Sequence, residues 1–416
     1  MLLVMALTAG IAGGSTPPSQ QSSPPHQTQA SSVLTLEEAI ARAQGRSPLI
    51  AAARARELAA EHAETVVAPA PNPSVEVRGE NLGPVSKTHL SRDVFATLSQ
   101  PIELGGKRGA RRATAAAASD LAVAEVAAAE WALAFDVVDL YIDALRARDV
   151  MATLVEQRER VGDIVALLTE RVRGGLTAEA DLRKFETEHA RLAGHIARAS
   201  VTLQSAVVRL SAIVGEELRP EHLSVPAMSP PATSLALTAE TDVSKRADVR
   251  TAAGRLQRAE TLAALERARG VPDVTITAGY KRTNGFDTAV AGVTIPIGIF
   301  DRNRVAAAEA AGEVAAARFE LQLIRQRAVA DARSRLSAAR QLTDQALRSD
   351  ADLVTPAGIV RTAARAAFAE GRSDVLQLVD AERVYGDASR EALELRLDAT
   401  HAVILARLAL GETPFP

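Results

Sequence analysis

From Lys107 to Arg173 the chain runs for about 67 residues without a proline, and its alanines, leucines and valines recur at helical spacing. One helix of that length would extend roughly 100 Å at 1.5 Å per residue, far more than a compact domain needs. Gly174-Gly175 breaks the pattern, Thr177 offers an N-cap, and a second helical pattern continues to about Val214. Two long helices joined by a tight turn predict an antiparallel hairpin. Composition points the same way: 47% of the 416 residues are hydrophobic but only 3% aromatic, so the bulky rings that fill compact cores are scarce.

The plan occurs twice. Residues 94–114 (VFATLSQPIELGGKRGARRAT) and 289–309 (AVAGVTIPIGIFDRNRVAAAE) each run from an alternating segment through a Pro-Ile pair and a basic turn into a long Ala-rich helical pattern. The prolines of the two pairs, Pro101 and Pro296, lie 195 residues apart; Gly175 and Gly371 lie 196 apart, as do Gly215 and Gly411. An internal duplication follows, with a first repeat at 34–215, a linker at 216–241 containing Pro220, Pro226, Pro230 and Pro231, and a second repeat at 242–412. The second repeat is expected to carry a helix from about Val243 to Arg269, one long helix from about 302 to 369, a break at Glu370-Gly371 and a return helix from about 374 to 410. Upstream, residues 1–14 resemble the apolar region and cleavage site of a secretory signal, without its basic start, and 15–33 form a Ser/Pro/Gln-rich leader. Order begins at a capping box of Thr35 and Glu38, and Ser47-Pro48 restarts the helix, which runs to about Val67.

Between the first helix and the long helix of each repeat lie two segments of strand character, 73–80 and 92–101, then 273–281 and 288–297. Val75, Val77 and Gly79 alternate with Glu76, Arg78 and Glu80; Val274, Ile276 and Ala278 alternate with Thr275, Thr277 and Gly279. Eight to ten residues of one-sided apolar strand suit the length of about nine or more that a tilted membrane-spanning β-strand needs. A sheet edge cannot stand open in lipid, where unpaired N–H and C=O groups find no water, and four strands cannot close a barrel. The strands therefore call for an oligomer; three copies would give twelve strands, although strand arithmetic alone leaves dimer, trimer and tetramer open.

QPIELGGKRGAR (100–111), PIGIFDRNR (296–304) and GRSDVLQLVDAE (371–382) resemble the TolC-like outer-membrane factor family, most closely its CzcC-like branch from heavy-metal efflux systems, over about residues 34–412. The resemblance implies a mainly α-helical chain with a small membrane β part. It also implies a homotrimer in which a twelve-strand barrel in outer-membrane lipid continues into a twelve-helix α-barrel in the periplasm of a Gram-negative-type cell. Such a protein is the passive exit duct of a tripartite pump, with an RND-type pump for heavy-metal cations or drugs as one case, or of type I secretion as another. Its partners would be a periplasmic adaptor (membrane fusion protein) and an inner-membrane pump. A periplasmic structural or adaptor-type coiled-coil protein is the other reading, but an adaptor would have one helical hairpin between β-rich halves, whereas this chain has two hairpins and two strand pairs.

The same resemblance assigns sites. The tips, Arg173, Gly174, Gly175, Leu176 and Thr177 in the first repeat and Glu370, Gly371, Arg372 and Ser373 in the second, would form the periplasmic entrance and meet the adaptor; by residue type alone, glycine ends each outgoing helix and Thr177 or Ser373 caps the next. Asp380 fits an acidic ring at the constriction, Gln377 departs from that pattern, and Asp181 and Lys184 hold the equivalent places in the first repeat; Asp380 could pair with Lys184 or Arg183. The change from barrel to helices is marked by Pro101, Gly105, Gly106, Lys107, Arg108 and Arg111, and by Pro296, Asp301, Arg302 and Arg304, with Asp301 expected to cap a helix start. Other chemistries fare poorly. The absence of cysteine removes thiolate nucleophiles and Cys-based zinc sites, and a net charge of −3 offers no basic field for nucleic acid. Glu186 and His189 have Glu-x-x-His spacing, but the repeat equivalent of His189 is Tyr385, so the matching ligand is missing. No catalytic motif, cofactor site or metal site is expected.

Overall fold

The computed structural model describes residues 33–80, 92–226 and 243–412. The expected signal segment, nearly all of the leader, the loop at 81–91 and the linker beyond residue 226 lie outside the described residues. In chain order the elements are α1 (Leu36–Arg46), α2 (Pro48–Val66), β1 (Ser74–Glu80), β2 (Asp93–Ile102), α3 (Lys107–Arg173) and α4 (Glu179–Val214), then α5 (Ala247–Arg269), β3 (Val274–Thr283), β4 (Phe286–Thr294), α6 (Arg304–Ser349), α7 (Thr355–Ala369) and α8 (Val375–Ala409). The order helix, two strands, long helix and return helix thus recurs. α3 is 67 residues long and unbroken. At the start of α1 the Thr35 hydroxyl accepts from the Glu38 amide at 3.2 Å, as the capping box predicts, while the Glu38 carboxylate turns to Arg42 at 3.6 Å.

One expectation for the second half fails. The helix predicted from 302 to 369 is divided by a π turn at Asp350–Val354, in which the Thr355 amide donates to the Asp350 carbonyl five residues back. Pro356 supplies the reason: it has no amide to give, and in a regular helix its ring would press on the carbonyl of Asp352. Widening the preceding turn relieves that contact.

The strands are expected as one pair from each repeat, joined in a common barrel. They form one antiparallel sheet in the order β1-β2-β3-β4, because β2 pairs with β3 from Asp93–Thr283 to Ile102–Val274. The β3–β4 link is a two-residue turn, Asn284 (φ 51°) and Gly285 (φ 91°), of the type whose twist matches a hairpin. Pro101 is accommodated inside β2 because β1 stops opposite Ser99, whereas β4 ends at Thr294, two residues before Pro296. The register places Val75 and Val77 beside Ala96 and Leu98, then Ile276 and Ala278, then Ala291 and Val293, all on one face. Glu76, Arg78, Thr97, Lys281 and Thr277 share the opposite face. The apolar face has no cover among the described residues: Val75 and Val77 are each 73% exposed and Val293 64%.

The helices find their core in the middle of the rod. Tyr141 of α3 is fully buried, its hydroxyl within 2.7 Å of the Leu34 carbonyl and 2.8 Å of that of Ser224. Leu34 pairs with Leu223 as an isolated parallel bridge, and Leu223 is itself buried. The described part of the stretch expected as a linker, 216–226, is therefore packed structure; Leu218 and Leu223 provide the apolar anchors that its prolines conceal. In the second half Arg246 is 4% exposed, bonded to Asp248 and Asp331 at 2.9 Å each and to the Ala409 carbonyl at 2.9 Å, with its guanidinium over the Trp131 ring. One side chain thereby ties α3, α5, α6 and α8 together.

Candidate functional site at the helical tips

Both hairpins end in the same backbone device. In the first, Leu176 N–H donates to Arg171 O (2.8 Å) and Gly175 N–H to Val172 O (3.0 Å); in the second, Arg372 N–H donates to Ala367 O (2.8 Å) and Gly371 N–H to Phe368 O (3.1 Å). These are Schellman closures, and Gly175 (φ 70°) and Gly371 (φ 71°) take the left-handed position they require. The caps of the return helices differ from expectation. α4 starts after Ala178, not Thr177, and α8 starts after Asp374, whose carboxylate accepts from the Gln377 amide at 2.9 Å, in place of Ser373. The Schellman turn uses up one more residue than a direct Gly-to-cap junction, which moves each cap along the chain. Arg173, Gly174, Gly175, Leu176, Glu370, Gly371 and Arg372 are all exposed, and Leu176 is 78% exposed with no cover.

The two tips are stitched to each other. Arg171 donates to the Phe368 carbonyl (3.3 Å) and the Ala369 carbonyl (3.1 Å), and its guanidinium lies 5.0 Å from the Phe368 ring centre. About two turns deeper, Glu188 of α4 is 4% exposed and accepts from Arg191 (2.5 Å) on its own helix and from Arg383 (2.6 Å) on α8. Burial would raise the Glu188 pKa, but the hydrogen bonds from Arg191 and Arg383, with their positive charge, overcome that and bring it to about 2. Beside it Glu382, also buried, pairs with Arg365 at 2.6 Å. Sequence reasoning missed these links. The signal lay in the numbering: Glu188 and Arg383 sit 195 residues apart, near-equivalent places in the two halves with opposite charge.

The constriction residues divide differently. Gln377 and Asp380 are exposed on the first turns of α8. Asp380 pairs with neither Lys184 nor Arg183, because each of those finds an acid on its own helix: Lys184 with Asp181 at 3.0 Å, Arg183 with Glu179 at 2.9 Å and Glu186 at 2.8 Å. His189 packs against Gly162 of α3, and Tyr385 lies under the Arg361 guanidinium at 3.7 Å, so the Glu-x-x-His pattern serves packing between helices.

At the far end, the basic turn is tied down. Lys107 pairs with Asp273 at 2.7 Å, Arg108 donates to the Ala68 carbonyl at 2.8 Å, and Arg111 pairs with Glu103 at 2.7 Å. Gly105 (φ 71°) is obligatory, since a Cβ there would come within 2.7 Å of Val271; Gly106 (φ 73°) precedes α3. Asp301 does not cap α6. Its carboxylate accepts from the Asn303 amide (2.8 Å), and left-handed Asn303 is the residue before the helix, its side chain bonded to Glu266. Arg302 donates to the Gly298 carbonyl at 2.8 Å, and Arg304 opens α6 exposed.

The family model for outer membrane efflux proteins matches residues 39–216 and 243–412, which takes in both hairpins, the whole sheet and both tips. The chain belongs to the outer membrane efflux protein family. Among curated relatives of this family, it is 30% identical over 285 residues to the cobalt-zinc-cadmium resistance protein CzcC of Cupriavidus metallidurans, covering 66% of each chain. It is 32% identical over 283 residues to the nickel-cobalt-cadmium resistance protein NccC of Alcaligenes xylosoxydans xylosoxydans, covering 64% of this chain and 61% of the relative. The match thus spans just under two thirds of those relatives. In three dimensions the fold is that of the outer-membrane channel OprN, with a TM-score of 0.72 at 19% identity over 92% of this chain and 91% of that one. The strand-to-rod architecture expected from the sequence is therefore the family's own.

Proposed function

We propose that this chain is the outer-membrane exit duct of a tripartite efflux system for divalent heavy-metal cations, a passive conduit opened at its periplasmic end by an adaptor and an inner-membrane pump. The observation that carries the reading is the four-stranded sheet whose apolar face is uncovered and whose two edges are unpaired among the described residues, mounted on helical rods too long for a globule. Lipid covers the face, and neighbouring copies close the edges; a homotrimer gives twelve strands above twelve helical rods. The metal resistance relatives support cations as cargo.

The tip residues take the adaptor in this reading, with Leu176 as the exposed apolar contact and Arg173, Thr177, Arg372 and Ser373 as the polar residues of the two tips. Asp380, free of any ion pair among the described residues, repeats in each subunit as a carboxylate ring favourable to cations, and Gln377 adds a neutral amide beside it. The turns after Pro101 and Pro296 lie where the barrel leaves the membrane.

Fractionation of cells and unboiled gel migration test the duct itself: the expected result is a heat-sensitive oligomer in the outer membrane, and a soluble monomer would overturn the reading. The cargo is tested by deleting the gene. Tolerance of cobalt, zinc and cadmium should fall while drug tolerance holds, and the opposite pattern would remove metal cations as substrate.

A further inference from the structure

Two features at the base of the sheet, one at each edge, stay open among the described residues. Past Thr294, the last residue of β4 that pairs with β3, come Ile295, Ile297, Ile299 and Phe300. Ile297 is 80% exposed, and Phe300, at 97%, is the most exposed large hydrophobic residue among those described. At the other edge β1 begins at Ser74, opposite Ser99, so the last residues of β2 have no β1 neighbour. A cleft of about 370 Å³ occupies that gap, with Ala70, Pro71, Pro101 and Ile102 in its wall. One edge thus carries an apolar projection and the other a recess, the arrangement of a head-to-tail contact between copies.

The seam between β2 and β3 inside the chain shows how the two edges fit. Pro101 and Pro296 lie 195 residues apart; Pro73 and Pro272, each just ahead of a strand with the same alternation, lie 199 apart. Moved by these offsets, the β2–β3 pairs Gln100–Ile276 and Ile102–Val274 fall on Ile295 with Val77 and on Ile297 with Val75. Ile295 and Ile297 follow Val293 at strand spacing, and Val293 shares its face with Val75 and Val77, so this register keeps the apolar row on one side. The prolines permit it. Pro101 and Pro296 each lie two residues past the end of pairing in their own hairpin, at Ser99 and Thr294, and Pro101 pairs across the inner seam with Thr275 all the same. Beyond the strands, the Leu104 amide donates to Asp273 at 3.0 Å and Gly105 lies against Val271. The same offsets bring Ile299 beside Ser74 and Phe300 beside Asn72, next to Pro71 and its cleft. We infer that β4 of one copy pairs with the partner's β1 in this register, and that Phe300 seats in the cleft between the partner's Pro71 and the partner's Pro101. The bulk changes sides: inside the chain a valine covers a glycine, and between copies a phenylalanine stands in the glycine's place and fills a recess. The seam is thereby sealed at the level where the strands give way to helices, and the backbone of residues 295–297 gains the partners that β3 no longer offers.

This seal needs a second copy and so rests on the duct reading, but it can be tested apart from transport. The chain has no cysteine, so introduced thiols meet no background. Directly opposed residues of antiparallel strands lie about 4.5–5.5 Å apart at Cα, inside the range of about 4.4–6.8 Å that a disulfide spans. Val77→Cys and Ile295→Cys, carried on separately tagged chains expressed together, should give an oxidised dimer in outer membranes that requires both thiols. Val75→Cys with Ile295→Cys, two residues out of register, should not. Gly79→Cys with Val293→Cys lies in the same register and decides the matter if the first pair fails to assemble. In the intact oligomer a Phe300→Cys thiol should resist a membrane-soluble maleimide, and it should react once heat has separated the copies. If the shifted pair links instead, or neither in-register pair links in a chain that still migrates as an oligomer when unboiled, the register is overturned and the duct reading stands. A Phe300→Cys thiol that reacts in the intact oligomer places that residue in lipid and overturns the seal. A soluble monomer removes the duct reading and the seam with it.

Discussion

The two long rods start from similar strand junctions and end in the same Schellman turn, yet they are built differently in between. α3 runs through its 67 residues with a buried aliphatic or aromatic residue on nearly every turn from Leu133 to Leu168. Its counterpart is cut into α6 and α7, and its inner face narrows to alanine, serine and threonine at the cut. A single proline makes the first difference, and side-chain size makes the second. Together they leave the first half with one continuous, well-packed rod and the second with a rod that is interrupted and thinly packed at mid-length. Equal length and equal ends do not imply equal stiffness.

The most severe way to break that comparison is to give α3 a proline. At the 196-residue offset of the tips, Pro356 corresponds to Arg160 in α3. Arg160→Pro removes an amide donor and presses on the carbonyl of Glu156 in a helix with no wide turn to absorb it, at an expected cost of about 3 kcal/mol or more. Arg160→Ala controls for the lost contact of the guanidinium with the Tyr385 ring. Pro356→Ala should change stability by less than about 1 kcal/mol, because it removes a restraint where the chain has already adapted. Urea denaturation followed by circular dichroism compares the three. If Arg160→Pro is as mild as Pro356→Ala, the continuity of α3 at that level does not distinguish the two rods in stability.

How much of this was legible beforehand follows from what local pattern records. The ends of α3 at Lys107 and Arg173 were readable because glycine pairs bracket a proline-free run, and the strand faces were readable because alternation has a period of two. The break at Asp350–Val354 was not foreseen, although Pro356 was in view, because helical spacing of small residues continues on both sides of it. Pairing of β2 with β3 joins segments about 180 residues apart, and nothing local announces it. At the tips, the turns were readable but the charge links were not: Lys184, Arg183 and Asp380 all looked available, and the choice of partner went to the acids within one turn. Thr177, Ser373 and Asp301 were good capping residues one or two places away from where the backbone needed one.

A gentler probe acts where the halves meet. Glu188 belongs to the first half and Arg383 to the second, and the Glu188 carboxyl is held near a pKa of about 2 against an ordinary value of 4.5. Because the folded pKa is the lower one, the link is at full strength above pH 4.5 and is lost as pH falls toward 2. The full shift corresponds to about 3 kcal/mol at neutral pH, an upper figure because both arginines are about half exposed. Glu188→Gln should therefore lower stability by about 1–3 kcal/mol at pH 7, and the gap between variant and native protein should close between pH 4.5 and 2. A gap that stays constant across that window would mean that the carboxylate charge does not join the halves.

The mildest probe asks for sameness. Gly175 and Gly371 both sit in the left-handed region, and an added methyl group at either would meet no atom within 4 Å. The cost of Gly175→Ala or Gly371→Ala is then conformational alone, about 1 kcal/mol for an L residue in that region. The two substitutions should match to within a few tenths of that, since the bonds that define the two turns are the same pair of closures. Denaturation midpoints of the two single variants measure it directly. A much larger loss at Gly371 would show that the second tip is under strain that the first is not, and the asymmetry of the rods would then reach the tips as well as the break at Asp350–Val354.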